Sequence, residues 1–263
     1  MTEIESVGLV LMLLCAGAGG GLLLRPYLPV AHRSQETTAV IQLSVGMMVT
    51  LAAVVLGLLI TSVKGGFDST ANDIRGFSAL IIELDHDLAE YGPDAAHARA
   101  LLRSYTANAI ATTWTEEKRP PGATMTTAQD DGRMESRALG EVLHAIEHDI
   151  RGFMPSGAAQ ASVATSCLDN FERLVRQRWK LIEEAHSSIS TPFFVVLVFW
   201  LVTVFLCFGL VAPRNLLAGT IIVITAVAVC SALYTVLDMD TPFTGQLVVP
   251  STPLRDALAH LTG

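Results

Sequence analysis

The sequence predicts an all-α membrane protein with four transmembrane helices in two hairpins and a helical-bundle insertion between helices 2 and 3. Four apolar runs of at least 18 residues contain no charged residue. At a rise of about 1.5 Å per residue, each can cross a hydrocarbon core of about 30 Å. The runs are paired on either side of a long polar stretch. That stretch repeats apolar residues every three or four positions and shows none of the alternation typical of strands.

The chain therefore divides into four segments. Residues 1–64 form a transmembrane hairpin, 65–190 a soluble helical bundle, 191–237 a second transmembrane hairpin and 238–263 a C-terminal tail. The apolar runs that define these segments are Val7–Leu24, Ala39–Val63, Pro192–Val211 and Leu216–Leu237.

Composition supports the same division. The chain is 51% hydrophobic and only 16% charged, whereas soluble domains carry about 25% charged residues. Of the 25 acidic residues, 19 lie between Lys64 and Ser190, so the net charge of −8 belongs mostly to the insertion. An acidic surface argues against nucleic acid as a partner, since that binding needs clustered Lys and Arg.

The first apolar run is expected to be a permanent membrane helix, because the leader before it lacks the Lys or Arg of a secretory signal. Gly17 and Gly21 form a GxxxG spacing, which predicts helix packing at close backbone approach. Whether the packing partner is in the same chain or another is left open. The four cysteines show no disulfide framework and are interpreted as small apolar residues; they are Cys15, Cys167, Cys207 and Cys230.

The insertion is predicted to hold four amphipathic helices. Helix 2 is expected to continue past Lys64, with a bend at Gly65 and Gly66, and to carry an apolar stripe to Tyr91. The other three helices are placed at Asp94–Trp114, around 139–153 and at Ala158–Ser188, with a polar loop at Glu116–Asp131. In the second hairpin, Pro192 falls in a first helical turn, where proline is tolerated.

Orientation follows from the basic residues near helix ends. More of them lie on the side of the insertion than in the two short loops, which carry Arg25, Arg33 and Arg214. The positive-inside rule then predicts a multi-pass membrane protein with the insertion and both termini in the cytoplasm. Arg25 and Arg33 taken alone favour the reverse.

Helix 2 carries the best candidate site. At about 100° per residue, its small and weakly polar residues fall within an arc of about 100°. This polar stripe could line a water-filled pore, with Lys64 at one mouth favouring anions; ordinary packing between helices explains it as well. No Asp, Glu or His lies within the apolar runs, which favours passive flow over ion-coupled transport. The stripe consists of Gln42, Gly46, Thr50, Ala53, Gly57, Thr61 and Lys64.

Two other patterns have weaker functional interpretations. His144 to His148 match HxxEH, a zinc-protease pattern, but both histidines lie away from the apolar stripe and are expected to face water. No enzyme activity, cofactor or metal is therefore predicted. A basic cluster precedes the third apolar run and could contact anionic lipid headgroups or attract permeant anions; pairing with nearby glutamates is the alternative. The cluster is Arg173, Arg176, Arg178 and Lys180.

Over nearly its full length the chain resembles the bacterial bestrophin-like domain family (DUF4239). The end of the chain is the most specific part of the resemblance. The segments that carry it are Val63–Asp68, Arg176–Arg178, Phe199–Leu201, Ala212–Asn215, Leu237–Gly245 and Pro253–Leu258.

Bestrophins proper share the architecture and are pentameric anion channels whose second helix lines the pore and forms a hydrophobic neck. The resemblance implies a homo-oligomer, by analogy a pentamer, in the lipid bilayer that passes inorganic anions passively. Leu56, Ile60 and Val63 are the neck candidates, although none is assigned to the polar stripe. The alternative function is a non-conducting membrane scaffold or regulator whose cytoplasmic bundle binds a partner.

Overall fold

The computed structural model describes residues 3–27, 29, 34–124, 137–185, 191–213 and 215–262. Arg33 and Arg214, used in the orientation argument, lie outside them, as do parts of the predicted 116–131 loop and of the predicted 158–188 helix. Within the described residues the structure is helical and contains no strand. Its helices are α1 (Glu3–Leu24), α2 (Gln35–Tyr91), α3 (Ala96–Thr113), α4 (Arg137–Arg151), α5 (Ala158–Ala185), α6 (Thr191–Val211), α7 (Leu216–Met239) and α8 (Thr252–Thr262).

Four of the described helices, α1, α2, α6 and α7, are long and apolar enough to cross a membrane. The prediction of a multi-pass, all-helical membrane protein is confirmed at this level. α6 begins at Thr191 with a proline in its first turn, and the Asn215 side chain caps α7 by accepting a hydrogen bond from the Ala218 N–H at 2.8 Å. The pairing of the four helices into two hairpins stays a prediction.

The first of two compact units, here called the membrane unit, comprises Met1–Gly66 and Ser188–Thr241. In it, α1 packs against α6 and α7. The GxxxG glycines of α1 lie directly on α6. A Cβ atom on Gly17 would be 2.9 Å from the Val202 carbonyl oxygen, and one on Gly21 would be 2.8 Å from the Leu210 nitrogen. Two backbones approach this closely only where side chains are absent.

The second compact unit, here called the helical unit, comprises Phe67–Ser187 and Pro242–Gly263. α2 continues past Lys64 to Tyr91, and its helical hydrogen bonding is not interrupted at Gly65 and Gly66, where the sequence suggested a bend. The apolar stripe of this part of α2 is fully buried, because its members recur on one face of the helix. The stripe consists of Ile74, Phe77, Ile81, Leu84 and Leu88.

α3 occupies the centre of the helical unit. Every residue from Tyr105 to Trp114 is buried. Several polar members of this run, including Thr106, Asn108 and Thr112, are hydrogen-bonded within the chain, as buried polar groups usually are. The Thr106 hydroxyl donates to the Leu102 carbonyl at 2.8 Å, and the Asn108 side-chain oxygen accepts from the Thr124 N–H at 2.8 Å.

The C-terminal segment packs onto α3 as part of the helical unit, a contact that the sequence analysis did not predict. The Trp114 indole N–H donates to the Val249 carbonyl at 2.7 Å, and its ring meets that of Phe243 edge to face. Arg255 of α8 pairs with Glu117 at 2.9 Å. The segment ends with α8, whose leucine side chains are buried.

We expect Gly21→Ala and Gly209→Ala to destabilise the membrane unit by about 1–3 kcal/mol, the usual cost of overpacking. A Cβ on Gly209 would lie 2.9 Å from the Ala18 carbonyl carbon, so relief requires movement of a backbone. Thermal unfolding of the purified protein in detergent measures the effect. Gly20→Ala is the matched control on α1, since its Cβ would meet no atom within 4 Å. Equal melting temperatures for Gly20→Ala and Gly21→Ala would contradict the packing argument.

Candidate functional site

The membrane part of α2 has three distinct faces. One face packs within the chain and carries the buried residues Val45, Ala52 and Val63. A second face is the polar stripe, centred about 115° away from the buried face at about 100° per residue. All seven stripe residues, from Gln42 to Lys64, are exposed. The third face bears large exposed apolar side chains, among them Met47 and Leu58. The helices of this chain therefore leave the polar stripe uncovered.

The hydroxyl groups of the polar stripe are bonded to their own helix. Thr50 donates to the Gly46 carbonyl and Thr61 to the Gly57 carbonyl, each at 2.9 Å. This back-bonding satisfies the hydroxyl proton locally and leaves oxygen lone pairs directed away from the helix. Lys64 supplies the one charge among the seven stripe residues.

A cavity of about 600 Å³ lies between α2, α6 and α7. Gln42 and Gly46 line it, whereas the other five stripe residues do not. The polar stripe thus borders the cavity at the end of α2 that is nearer the α1–α2 connection. The wall opposite Gln42 is apolar and includes Phe208 and Ile222.

The three neck candidates differ in their surroundings. Val63 is buried within the chain, and Leu56 packs against the hydrophobic core of the membrane unit. Ile60, by contrast, is 44% exposed. Ile60 follows Gln42 by 18 residues, which is about five turns of 3.6 residues. By the helical period Ile60 therefore lies at the edge of the polar stripe, to which the sequence analysis did not assign it.

The basic cluster of α5 is divided between two faces. Arg173, Arg176 and Lys180 are exposed on one face, and Arg176 pairs with Glu172 at 3.5 Å. Arg178 points the other way and is 4% exposed, close to the buried Tyr105. Burial raises the pKa of Tyr105 to about 12, although the neighbouring Arg178 acts to lower it. Only three of the four residues can therefore meet an anion or a lipid headgroup.

Lys180 takes part in a polar contact between α2 and α5. Its Nζ atom lies 2.8 Å from Asp73 Oδ1, and the Gln177 amide donates to the same oxygen at 2.9 Å. Burial acts to raise the pKa of Asp73, but the hydrogen bonds, led by that from Lys180, hold it below its ordinary value. Burial and the adjacent Asp73 raise the pKa of Glu184, and the Asp73 hydrogen bond raises that of Lys180. Sequence reasoning missed this contact because its residues are more than 100 positions apart.

A second missed residue is Asp238, a carboxylate at the end of α7 that is fully buried. The Tyr234 hydroxyl lies 3.5 Å from Asp238 Oδ1, and the Thr241 hydroxyl donates to the Asp238 carbonyl at 3.3 Å. The only sequence signal for it was its place in the Leu237–Gly245 segment that carries the family resemblance.

The HxxEH residues form no closed site. His144 and His148 are exposed on α4. Glu147 lies 3.8 Å from His144 but pairs more closely with Arg151, at 2.8 Å. Within the part of the chain that the structure describes, no three His, Cys, Asp or Glu side chains are grouped to hold a metal ion.

We expect Glu184→Gln to stabilise the helical unit at pH 7 by about 0.5–1 kcal/mol, the range for a partly exposed charge interaction. The raised pKa means that the folded protein favours neutral Glu184, so its ionisation costs stability as pH rises. The gain should vanish below the usual glutamate pKa of about 4.3, where the wild-type side chain is already neutral.

Melting temperature measured as a function of pH tests this. Asp73→Asn is the opposite control, since the lowered pKa of Asp73 marks stabilisation that is present above the ordinary aspartate pKa and lost on acidification. A Glu184→Gln variant less stable than wild type at pH 7 would contradict the inference that ionised Glu184, beside Asp73, destabilises the folded protein.

Comparison with known proteins places the chain in a structural group. A variant of a bacterial bestrophin homologue from Klebsiella pneumoniae is 13% identical, with a TM-score of 0.64 over 99% of this chain and 97% of that chain. Another variant from this organism is 14% identical, with a TM-score of 0.61 over 97% of each chain. A further crystal structure, described as a membrane protein, is 14% identical with a TM-score of 0.60. At such low identities these likenesses show the fold alone.

No protein with a curated description matches the chain significantly. A family model, by contrast, covers nearly all of it. The model for the bestrophin-like domain matches residues 12–254, which include α2, α6, α7, part of α1, most of the helical unit and the segment around Asp238. The protein is therefore a member of the bestrophin-like domain family.

Proposed function

We propose that the protein forms a homo-oligomeric channel that passes inorganic anions passively. The observation that carries this proposal is the exposure of the whole polar stripe on a face of α2 that the chain's own helices leave uncovered. Membership of the bestrophin-like family supports the channel function. By analogy with bestrophins, the oligomer is a pentamer with α2 of each copy facing a central path.

Energetics favour water over lipid next to the polar stripe. Water is absent from the hydrocarbon core, so a polar side chain without a partner there costs free energy. The Gln42 amide and the outward lone pairs of Thr50 and Thr61 avoid this cost if they face a shared aqueous path. Several copies are needed to enclose such a path, because a single α2 cannot. The large apolar face that includes Met47 then faces lipid or a neighbouring copy.

The sign of the selectivity rests on Lys64. The hydroxyl lone pairs of Thr50 and Thr61 would favour a cation, but they are dipoles, whereas Lys64 carries a full charge. A ring of such charges, one from each copy, raises the local concentration of anions at the mouth. Ile60, exposed at the edge of the polar stripe one turn before Lys64, is the proposed hydrophobic neck.

Location and orientation complete the proposal. The protein is placed in the bacterial inner membrane with the helical unit and both termini in the cytoplasm, as the distribution of basic residues favours. Arg173, Arg176 and Lys180 then lie on the cytoplasmic side, where their exposed face can attract anions or contact anionic headgroups. The mechanism is selection and flow along a fixed path without catalysis.

Thr50→Trp should reduce chloride flux by about tenfold or more, because an indole on each copy narrows a path bounded by pore-lining side chains. Chloride flux into liposomes with the purified protein measures this, beside protein-free liposomes. Met47→Trp, which adds the same bulk on the large apolar face, should leave flux near wild type. Equal flux in wild type and Thr50→Trp, at equal oligomer content, would contradict the placement of the polar stripe. Absence of flux in the wild type would favour the scaffold function.

Lys64→Glu should shift the chloride-to-sodium permeability ratio towards sodium by about fivefold or more, since the sign of a charged ring sets the local ion concentration. Reversal potentials in planar bilayers with a salt gradient measure the ratio. Arg103→Glu makes the same change of charge at an exposed position on α3 and should leave the ratio unchanged. A ratio unaffected by Lys64→Glu would remove Lys64 from the selectivity mechanism.

A further inference from the structure

The cavity between α2, α6 and α7 is almost wholly apolar. Of the described residues that line it, only Gln42, Thr225 and Cys207 have a polar atom in the side chain. The Thr225 hydroxyl is already bonded to the Ile221 carbonyl of its own helix at 2.9 Å. With about 600 Å³, the cavity falls within the range of about 300–1,000 Å³ typical of ligand sites. Its chemistry suits a hydrocarbon ligand with few polar atoms.

The cavity lies within one half of the membrane unit. Its lining residues belong to the first turns of α7, the last turns of α6 and the early part of α2, from Ile41 to Val49. These are the ends of the helices nearer the α1–α2 and α6–α7 connections, opposite the end at which α2 passes Lys64. In a membrane-spanning unit, the molecules that reach this depth are the acyl chains of the lipids in one leaflet.

A positively charged side chain, that of Arg25, lies at the rim of the cavity. Arg25, immediately after α1, donates a hydrogen bond from Nη1 to the carbonyl of Ala212, and Ala212 lines the cavity. A guanidinium group carries five N–H donors in a planar fork that matches a phosphate. An apolar cavity with an arginine at its rim is complementary in charge and polarity to one molecule of the bilayer, a phospholipid.

We infer that this cavity binds one acyl chain of a membrane phospholipid whose phosphate pairs with Arg25. The chain lies between α2 and α7, and the headgroup stays at the level of the α6–α7 connection. This site does not depend on conduction, so a protein that passes no ions can still bind the lipid.

The test counts phospholipids retained by the full-length protein. The protein is extracted in mild detergent, exchanged into a lipid-free detergent by gel filtration and examined by native mass spectrometry. Lipid extracts of the same fractions identify the bound species. The wild type should retain one phospholipid per chain. Ala218→Trp fills the cavity from α7 and should reduce retention by about tenfold, while Arg25→Gln should reduce it severalfold through loss of the phosphate contact.

Two controls keep the outcome interpretable. Ala228→Trp adds an indole to an exposed position of α7 outside the cavity and should retain lipid like the wild type. Arg25→Lys keeps the charge and should bind better than Arg25→Gln. The gel-filtration profile of each variant shows whether it has folded and assembled.

Three results would overturn the inference. Equal retention by correctly assembled Ala218→Trp and wild type places the lipid elsewhere. A bound molecule without phosphate, such as a fatty acid, removes the role of Arg25. A wild type that retains no lipid removes the proposed ligand. If a variant with Val49→Cys and Ile221→Cys then cross-links between copies, a second copy of the chain fills the cavity.

Discussion

The close approach of α1 to α6 is the contact on which the rest of the membrane unit depends. Lipid tails are as apolar as leucine, so membrane helices gain little from burying apolar side chains against one another. Backbone contact supplies the attraction instead, and Gly17, Gly21 and Gly209 make that contact possible. With α1 held against α6 and α7, α2 joins the core of the membrane unit through Ala52, with Val55 and Leu56 packed against it. Two of its faces are left uncovered, and the cavity remains between it and α6 and α7.

The positions of the helices could be predicted from the sequence because helical periodicity is a local property. The apolar stripe from Ile74 to Leu88 and the start of α6 at Thr191 follow directly from spacing and from the tolerated proline. The central place of α3 could not be predicted in the same way. From Tyr105 onward α3 is buried on all sides, so the residue pattern of this half shows no solvent-facing side from which its neighbours could be inferred. The docking of the C-terminal segment onto Trp114 joins parts of the chain that are 135 positions apart, and no local pattern records such a contact.

In the candidate site, too, local spacing predicts which residues share a face but not what that face contacts. The residues of the polar stripe share a face because that follows from the helical period, but what lies opposite that face depends on other copies. Ile60 shares the angle of Gln42 on the helix, but the stripe was defined by its small and polar residues. Arg178 was grouped with its basic neighbours by sequence proximity, although its angle on α5 turns it into the core beside Tyr105. Lys180 forms an ion pair with Asp73 of another helix, whereas sequence spacing predicts an ion pair only with Glu184. Local sequence patterns therefore predict on which face of a helix a residue lies. Which residue it contacts there depends on the tertiary structure.

The cavity and the polar stripe meet at Gln42 and Gly46, and the junction at Gly46 connects the proposed lipid site with the proposed pore. Gly46 has no side chain, so only backbone separates a molecule in the cavity from the face of α2 that carries Thr50. The Gly46 carbonyl also accepts a hydrogen bond from the Thr50 hydroxyl. A displacement of the backbone at Gly46 therefore moves the Thr50 side chain of the polar stripe. Because protein interiors and lipid both pack closely, an open apolar cavity of this size is filled in a bilayer. In the proposed channel, a molecule that fills it packs against α2 and so bears on the width of the path that α2 would line. A lipid bound at this place can therefore act on conduction without entering the path.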